Sequence, residues 1–254
     1  MLQVIEHNTL ASLQPFRTVW AELLTQTPDA DYFQSLDWLE VYWHHFGEHQ
    51  QLRILQIIDG DETVGIVPLV LRHDTTKVGP IRILTYPLDD WGSFSGPIGP
   101  DRSRLLALAL VHLQHTPQDW DAIDLRWVNT HHDQHAWLLE AMQSVGLKTY
   151  RRPRTIVPVA QLNGDWETYW SSRTSKVRSD IRRNQRKVEK QTGVEYLRFR
   201  PEPGAAQDPR WDLYDACEHL ASLSWQGSST TGTTLSHEGV RAHLRDQHAR
   251  AVQA

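Results

Sequence analysis

The chain has 254 residues, 39% of them hydrophobic, and a formal net charge of −5 at pH 7. This length suffices for one large domain or two domains of ordinary size. The negative net charge excludes nucleic-acid binding through the overall charge of the protein. The single cysteine, Cys217, excludes an internal disulfide framework and indicates a reducing compartment. No apolar run resembles a signal peptide or a membrane span, so we predict a cytoplasmic protein.

The first part of the chain is predicted to alternate helices and strands in the order ααβββ-loop-αβαβ. Hydrophobic periodicity predicts helices at 15–26, 35–46, 101–115 and 132–145, and strands at 51–59, 63–71, 78–86, 122–128, 147–152 and 155–162. The turn at 59–62 predicts a tight hairpin, and Pro68 predicts a bulge or a splayed pairing because proline lacks an N–H. We therefore expect an α/β fold with a mixed (α+β) sheet in a first domain, residues 1–162.

The second part is predicted to be mainly helical. Its elements are a helix at 166–190, a strand at 194–200, a Pro/Gly-rich linker at 202–209, and helices at 210–225 and 236–252. With at most one strand it has no sheet of its own, so we predict an incomplete second domain at 163–254. Cys217 lies in a helical run, where we expect a small core residue rather than a nucleophile.

The helix predicted at 166–190 is the most basic stretch of the chain. Residues 171–190 hold eight basic and two acidic side chains, a net charge of +6. Asp165 is placed to cap its start and Gly193 to end it. Apolar residues recur on one side at Trp166, Trp170, Val177, Ile181 and Val188.

The basic residues of the helix predicted at 166–190 have two interpretations: they form a solvent-exposed charged face, or they form a surface that binds an anion. The sequence leaves both open. The candidates for binding an anionic substrate or partner are Arg173, Lys176, Arg178, Arg182, Arg183 and Arg186.

A Gly/Pro-rich loop at 87–100 is the other candidate site. Asp89 and Asp90 lie beside Trp91, and paired acids near an aromatic ring can orient a polar substrate. The alternative is that the acids only form turns. A loop of this length in a compact domain tends to bind something, so we keep Asp89, Asp90 and Trp91 as candidate substrate-binding residues.

The same loop does not predict a phosphate cradle, although Gly96 and Gly99 precede a helix. Phosphate cradles need backbone N–H groups, and Pro97 and Pro100 each remove one. Neither a Walker pattern nor a GxGxxG pattern is present. The sequence therefore argues against cofactor phosphate binding by the first domain.

The histidine clusters do not predict a metal site. His131 and His135 have the spacing of zinc metalloproteases but lack the glutamate between them. His44 and His45 are adjacent on a predicted helix, so their side chains are expected to face different ways. We predict no metal.

The segment 166–190 (WETYWSSRTSKVRSDIRRNQRKVEK) and four others resemble the CelD-like (BioF2-like) acetyltransferases of the GNAT superfamily, which are related to the FemAB aminoacyl transferases. The other four are FQSLDWLEVYWHHFG, GIVPLVL, LDDWGSFSGP and LASLSWQG. The resemblance implies two tandem GNAT-like domains, of which the second carries acetyl-CoA or another acyl-CoA, or aminoacyl-tRNA in the Fem branch. It also implies that this chain ends before the strands and cofactor-binding turn of its second domain.

The resemblance implies an N-acyltransferase acting on an amine of a sugar, peptide or cell-envelope precursor. Such a reaction needs amine deprotonation, an N–H donor for the oxyanion and a protonated thiol leaving group. No residue of the sequence is assigned as the base. The alternatives are a non-catalytic module whose basic helix contacts tRNA or another anionic partner, and a helix that merely connects two domains.

Overall fold

The computed structural model describes residues 1–77, 79–88, 91–92, 94–128, 136–152, 156, 164–191, 193–202, 207–228 and 235–253. The strands are β1 (Leu2–His7), β2 (Gln50–Asp59), β3 (Glu62–Thr76), β4 (Gly79–Thr85) and β5 (Ala122–Ile123). The α-helices are α1 (Arg17–Gln26), α2 (Leu36–Phe46), α3 (Arg102–His115), α4 (Ala136–Ser144), α5 (Trp166–Ser172), α6 (Ser175–Glu189), α7 (Trp211–Leu223) and α8 (Glu238–Gln253).

The strands form one mixed sheet in the order β1-β2-β3-β4-β5. The first four are antiparallel, and β5 runs parallel to β4 through the pairs Ile83–Ala122 and Leu84–Ile123. The predicted α/β fold with a mixed sheet is therefore confirmed. Strand β1 was not predicted, although it pairs with β2 along its whole length.

The hairpin between β2 and β3 is also confirmed. Asp59 and Glu62 close a two-residue turn in which Gly60 has φ +63°, a conformation that glycine adopts without strain. The register then shifts between Ile57 and Ile58, which places the β-bulge close to the turn.

On one side of β3, Pro68 pairs in register with Ile54 of β2. On the other side of β3, Pro68 lies at the point where the strand changes its pairing partner. Ile66 exchanges both backbone hydrogen bonds with Ile98, whereas pairing with β4 begins only at Val70. Pro68 lies between these two points, so its missing N–H costs no bond to β4. The predicted splayed pairing is present here, and the bulge lies elsewhere.

The core is centred on β2 and β3, where runs of consecutive residues are buried. Consecutive side chains point to opposite faces of a sheet, so both faces of these strands are covered. Helices α1 and α3 contact β3, and α4 packs against α3. Helix α2 begins as predicted, with the Ser35 hydroxyl accepting a hydrogen bond from the backbone N–H of Trp38 at 3.0 Å.

The predicted basic helix is two helices rather than one. The Asp165 carboxylate caps α5 as predicted, accepting from the Thr168 N–H at 2.7 Å. The chain is then extended at Arg173 and Thr174, and the Thr174 hydroxyl caps α6 by accepting from the Val177 N–H. Hydroxyl side chains compete with helical backbone bonds, which explains the break in a run rich in Ser and Thr.

Several predicted strands are shorter than expected or absent from the described residues. β5 ends at Ile123, and the positive φ of Trp127 (58°) turns the chain soon after it. Segments 147–152 and 194–200, both predicted as strands, are irregular. The segment predicted at 155–162 lies outside the described residues except for residue 156. Cys217 is exposed on α7 rather than buried, contrary to the prediction.

By packing, the chain divides into two compact units. One comprises Met1–Thr149 together with Glu202–Ala254, and the other comprises Tyr150–Pro201. The predicted division into domains 1–162 and 163–254 stays a prediction. Within the described parts, no helix is long and apolar enough to cross a membrane.

Candidate functional site

The segment between β4 and α3, residues 86–101, is held by side chains from the region before and within α2. We call it the anchored loop; residues 89, 90 and 93 in it are outside the described parts. The Trp38 indole N–H donates to the Pro87 carbonyl at 2.9 Å. The Gln34 amide donates to the Gly96 carbonyl at 3.4 Å. These two buried donors fix the loop against the α2 side of the unit.

The end of the anchored loop is fixed through Gly99. Its N–H donates to the Thr27 hydroxyl at 2.7 Å, and its φ of +137° is one that residues with a side chain rarely adopt. A Cβ at this position would lie 2.7 Å from Leu105 Cδ1 and 3.0 Å from the Val64 carbonyl oxygen. Glycine is therefore required here for both conformation and space.

The described end of the anchored loop, residues 97–100, does not fit a cofactor phosphate. The N–H groups of Ile98 and Gly99 are already bonded within the fold, and Pro97 and Pro100 have none. At the start of α3 the Asp101 carboxylate accepts from the Arg104 N–H at 3.0 Å and occupies the positive end of the helix dipole. Residues 97–100 therefore present no unbonded backbone N–H to a cofactor phosphate.

In the described part of the chain, a cluster of buried polar atoms beside the anchored loop has no hydrogen-bond partner. We call it the polar cluster. Its unpaired atoms, among the described residues, are the Tyr86 hydroxyl, the Gln34 Oε1, the Trp137 Nε1, and the Nε and one Nη of Arg102. Tyr86 is 2% exposed and Gln34 is 3% exposed. Most buried polar groups in proteins are bonded, so such a concentration indicates a site for a ligand or water.

The members of the polar cluster are linked to one another. The Arg102 Cζ lies 5.7 Å from the centroid of the Trp137 ring, in a cation–π contact. The Trp137 ring lies close to Gly96, since a Cβ built on Gly96 would be 3.4 Å from the ring. The carbonyl of the same glycine accepts the hydrogen bond from the Gln34 amide. Tyr86 and Arg102 interact electrostatically. The cluster thus lies at the carboxyl end of β4, where Tyr86 follows the strand.

The electrostatics of the polar cluster favour a ligand that accepts hydrogen bonds. Burial lowers the pKa of Arg102, although Asp29 and Tyr86 act in the opposite direction. Burial raises the pKa of the Tyr86 phenol, which Arg102 partly offsets. Tyr86 therefore stays neutral near pH 7 and Arg102 stays charged. A carboxylate, phosphate or carbonyl oxygen is the group that these donors lack.

Asp31 is the described carboxyl group whose pKa is raised. This pKa is raised to about 6, because the effect of burial exceeds the opposite effect of the hydrogen bond from the Phe33 N–H. It precedes the short turn that carries Gln34, a member of the polar cluster. A carboxyl group with a pKa near the operating pH is suited to general acid–base chemistry.

The residues predicted for substrate binding in the loop are only partly described. Asp89 and Asp90 lie outside the described residues. Trp91 is half-buried, packs against the hydrophobic core and donates its backbone N–H to the Leu88 carbonyl at 2.8 Å. Packing accounts for the Trp91 side chain, and its role in substrate binding stays a prediction.

The six predicted anion-binding residues lie on or next to α6, in the unit Tyr150–Pro201. All are exposed except Arg178, which is half-buried and donates to the Ser171 carbonyl at 2.9 Å. Among the described residues the ion pair of this helix joins Arg183 to Asp180 at 3.0 Å. Arg182 lies over the ring of Trp170, 5.6 Å from its centroid. Most of the positive charge on α6 therefore faces solvent.

The apolar residues of the same two helices are not buried by the described residues. Trp166 is 61% exposed, Val177 is 42% exposed and Ile181 is 47% exposed. The predicted apolar side of the helix is thus accessible, next to the cations.

Gln34, Tyr86, Arg102 and Trp137 were not identified from the sequence. Their unpaired atoms become evident only when the loop is folded against α2 and α4. One sequence feature does point to Arg102, because a cation in the first turn of a helix opposes the helix dipole. Such a residue is often placed there for a reason other than helix stability.

No family model matches the chain, and no curated protein matches it. The fold has distant likenesses among solved structures. An integron cassette protein from the mobile metagenome of V. cholerae is 13% identical, with a TM-score of 0.35 over 68% of this chain and 98% of that chain. The ribosomal-protein-alanine N-acetyltransferase from Brucella melitensis biovar Abortus 2308 is 9% identical, with a TM-score of 0.35 over 62% and 99% of the two chains. A probable acetyltransferase is 12% identical, with a TM-score of 0.33 over 63% and 99%.

Proposed function

We propose that the chain is a GNAT-type N-acyltransferase that transfers an acyl group from acyl-CoA to an amine of a sugar, peptide or cell-envelope precursor. The element order of Met1–Thr149 supports this, since two helices follow β1 and the parallel pair β4–β5 is joined through α3. The β4–β5 pairing ends after two residue pairs. Ligands of α/β folds bind beyond the carboxyl ends of strands, where neighbouring chains separate.

The observation that carries the proposal is the polar cluster, because it lies at this carboxyl end of β4. Its unpaired donors suit an acceptor that carries a carboxylate or phosphate besides its amine. Arg102 would bind that anion and Tyr86 would donate to it or to a neighbouring oxygen. The described first unit therefore acts as the acceptor-binding part of the enzyme.

The chemistry is a direct attack of the amine on a thioester carbonyl. The C–N bond forms, the C–S bond breaks, and the amine loses a proton while the thiol gains one. Acyl-CoA supplies the activated acyl group, and its phosphates would need a site other than the anchored loop. Asp31, with a pKa of about 6, is the described carboxyl best suited to take up the amine proton.

Incubation of the chain with acetyl-CoA and a panel of amines should release free thiol only when a suitable amine is present. The panel contains amino sugars and peptides with and without a carboxylate. Arg102→Gln and Tyr86→Phe should each lower kcat/KM for the anionic acceptors by about 10- to 100-fold, because each removes a buried hydrogen bond to a charged group. Arg104→Gln, an exposed neighbour on α3, is the matched control and should match the wild type.

Two outcomes would contradict the proposal in different ways. No heat of acetyl-CoA binding at millimolar ligand, together with no thiol release for any amine, would reject the acyltransferase function. Normal thiol release that neither the Arg102 nor the Tyr86 variant alters would keep the function and reject the polar cluster as the acceptor site.

A second candidate function is binding of tRNA or another anionic partner by α6. The exposed cations of this helix favour it. Binding of tRNA should be measurable at about 50 mM salt and should weaken steeply as salt rises, since phosphate contacts release counterions. Replacing Arg182, Arg183 and Arg186 together by Gln should reduce the slope of log K against log salt by about 2. Arg104→Gln should leave the slope unchanged. Absence of tRNA retention at low salt would reject this candidate.

A further inference from the structure

Three side chains with metal-binding atoms meet where α8 packs on α2. They are His44 and His45 of α2 and Asp246 of α8. Their ligand atoms all lie within 4.8 Å of one another. The His45 Nε2 and the Asp246 Oδ2 are 2.7 Å apart. The two imidazoles are adjacent in the chain, and their ring centroids are 4.9 Å apart.

The backbone of α8 at Asp246 is held in place by contacts one helical turn further along the helix. The Arg250 guanidinium donates to the Glu40 carboxylate at 2.7 Å, and its Nε lies 3.6 Å from an Asp37 oxygen. Both acids belong to α2. Because residues four apart lie on the same side of a helix, this anchor holds Asp246 opposite the two histidines.

The ring of His45 is also held in place. It packs 5.4 Å from the ring of His243 and 6.3 Å from that of Phe46. His243 is 1% exposed, so the inner side of this group is closed. His44 and Asp246 are exposed, and the outer side is open to solvent. The side chains of His44 and Asp246 can therefore rotate toward a metal ion, whereas the ring of His45 is already held in place.

The ligand types select a class of metal ion. Two imidazoles and one carboxylate suit Zn²⁺ and its neighbours, whereas Mg²⁺ and Ca²⁺ prefer oxygen ligands alone. Bond lengths of about 2.0–2.2 Å put ligand atoms about 3.3 Å apart around tetrahedral zinc. A separation of 4.8 Å must therefore close by roughly 1.5 Å, and the 2.7 Å between His45 Nε2 and Asp246 Oδ2 must open slightly. Rotation of the exposed His44 and Asp246 side chains can supply both changes.

We propose that His44, His45 and Asp246 form a zinc site that joins α8 to α2, with the fourth position open to water. The inference does not depend on the acyltransferase function. The sequence near His44 and His45 contains no sign of this carboxylate, because Asp246 lies 201 residues after His45. The Asp246 carboxylate of α8 supplies the third ligand, which is why we now propose a metal site where the sequence predicted none.

Titration of the whole chain with Zn²⁺ should raise its Tm, because the ion binds the folded state and joins two helices. At a hundredfold excess over Kd we expect a rise of about 5 °C. Mg²⁺ should cause no shift. Co²⁺, used as a spectroscopic substitute, should give the intense visible absorption of a tetrahedral site, and Zn²⁺ should displace it.

Variants separate this site from binding by the other histidines of the chain. His44→Gln and Asp246→Asn should each weaken zinc affinity at least tenfold, and His115→Gln, an exposed histidine in the last turn of α3, should not. His44 takes part in no described ion pair, so its variant tests the site even if Asp246→Asn loosens α8. A wild-type Tm that Zn²⁺ leaves unchanged overturns the proposal, as does equal zinc affinity in the wild type and His44→Gln.

Discussion

Replacing Trp38 with alanine is expected to lower the free energy of unfolding by about 3–5 kcal/mol. Trp38 is 2% exposed, and its ring packs edge-on against Phe33 at 4.8 Å and His243 at 5.5 Å. Its indole N–H also donates to the Pro87 carbonyl. The substitution therefore leaves a cavity and an unbonded carbonyl at the same place. Urea unfolding monitored by circular dichroism measures the loss.

Two further variants show which part of this effect comes from packing. Trp38→Phe keeps an aromatic ring but removes the donor to Pro87, so it should cost about 1–2 kcal/mol and free only the Pro87 end of the anchored loop. Trp225→Ala removes a tryptophan that is 80% exposed, and its effect should stay within about 0.5 kcal/mol. Equal effects of Trp38→Ala and Trp225→Ala would contradict the role assigned to Trp38.

Acidification from pH 7 to pH 4 is expected to destabilise the protein through His243 by about 2–3 kcal/mol. Neither ring nitrogen of His243 has a partner among the described residues. The pKa of His243 is lowered to about 4, chiefly by burial and also by nearby His45, while Asp246 acts in the opposite direction. The native state thus holds a neutral ring. Its stabilisation is complete above the ordinary pKa of about 6.5 and is lost as the pH falls through 4.

His243→Phe isolates this contribution, because it keeps a buried ring and removes the titration. Urea unfolding of both proteins between pH 4 and 7 gives the difference at each pH. Asp31 acts with the opposite sign, since its raised pKa of about 6 stabilises the fold at low pH and less as the pH rises through 6. That contribution is common to both proteins and cancels. Parallel stability curves would contradict the prediction.

The sequence predicts the elements whose pattern is local. The hairpin at Gly60, the Ser35 cap of α2 and the Asp165 cap of α5 each depend on a few adjacent residues, and all three are present. The boundaries of α3, α7 and α8 are also close to those predicted. Short-range chemistry fixes such features, so a single sequence contains them.

The remaining features depend on contacts between distant residues. β1 is a strand because it pairs with β2, whose residues are distant in sequence, whereas the segment 194–200 was predicted as a strand and is irregular. The sequence predicted a binding role for the loop at 87–100, which stays a prediction, but it did not indicate Gln34 or Arg102, whose unpaired atoms depend on how that loop folds against its neighbours. Likewise, nothing near His45 in sequence indicates Asp246.

The packing of α8 on α2 sets an order of events during synthesis of the chain. His45 and Asp246 are 201 residues apart, a length that a ribosome translates in about 10–40 s. Throughout that interval the surface of α2 that His243 later covers, including the edge of Trp38 and the ring of Phe46, has no α8 to shield it. This surface is thus available to a chaperone, or to another nascent chain, before the unit is complete.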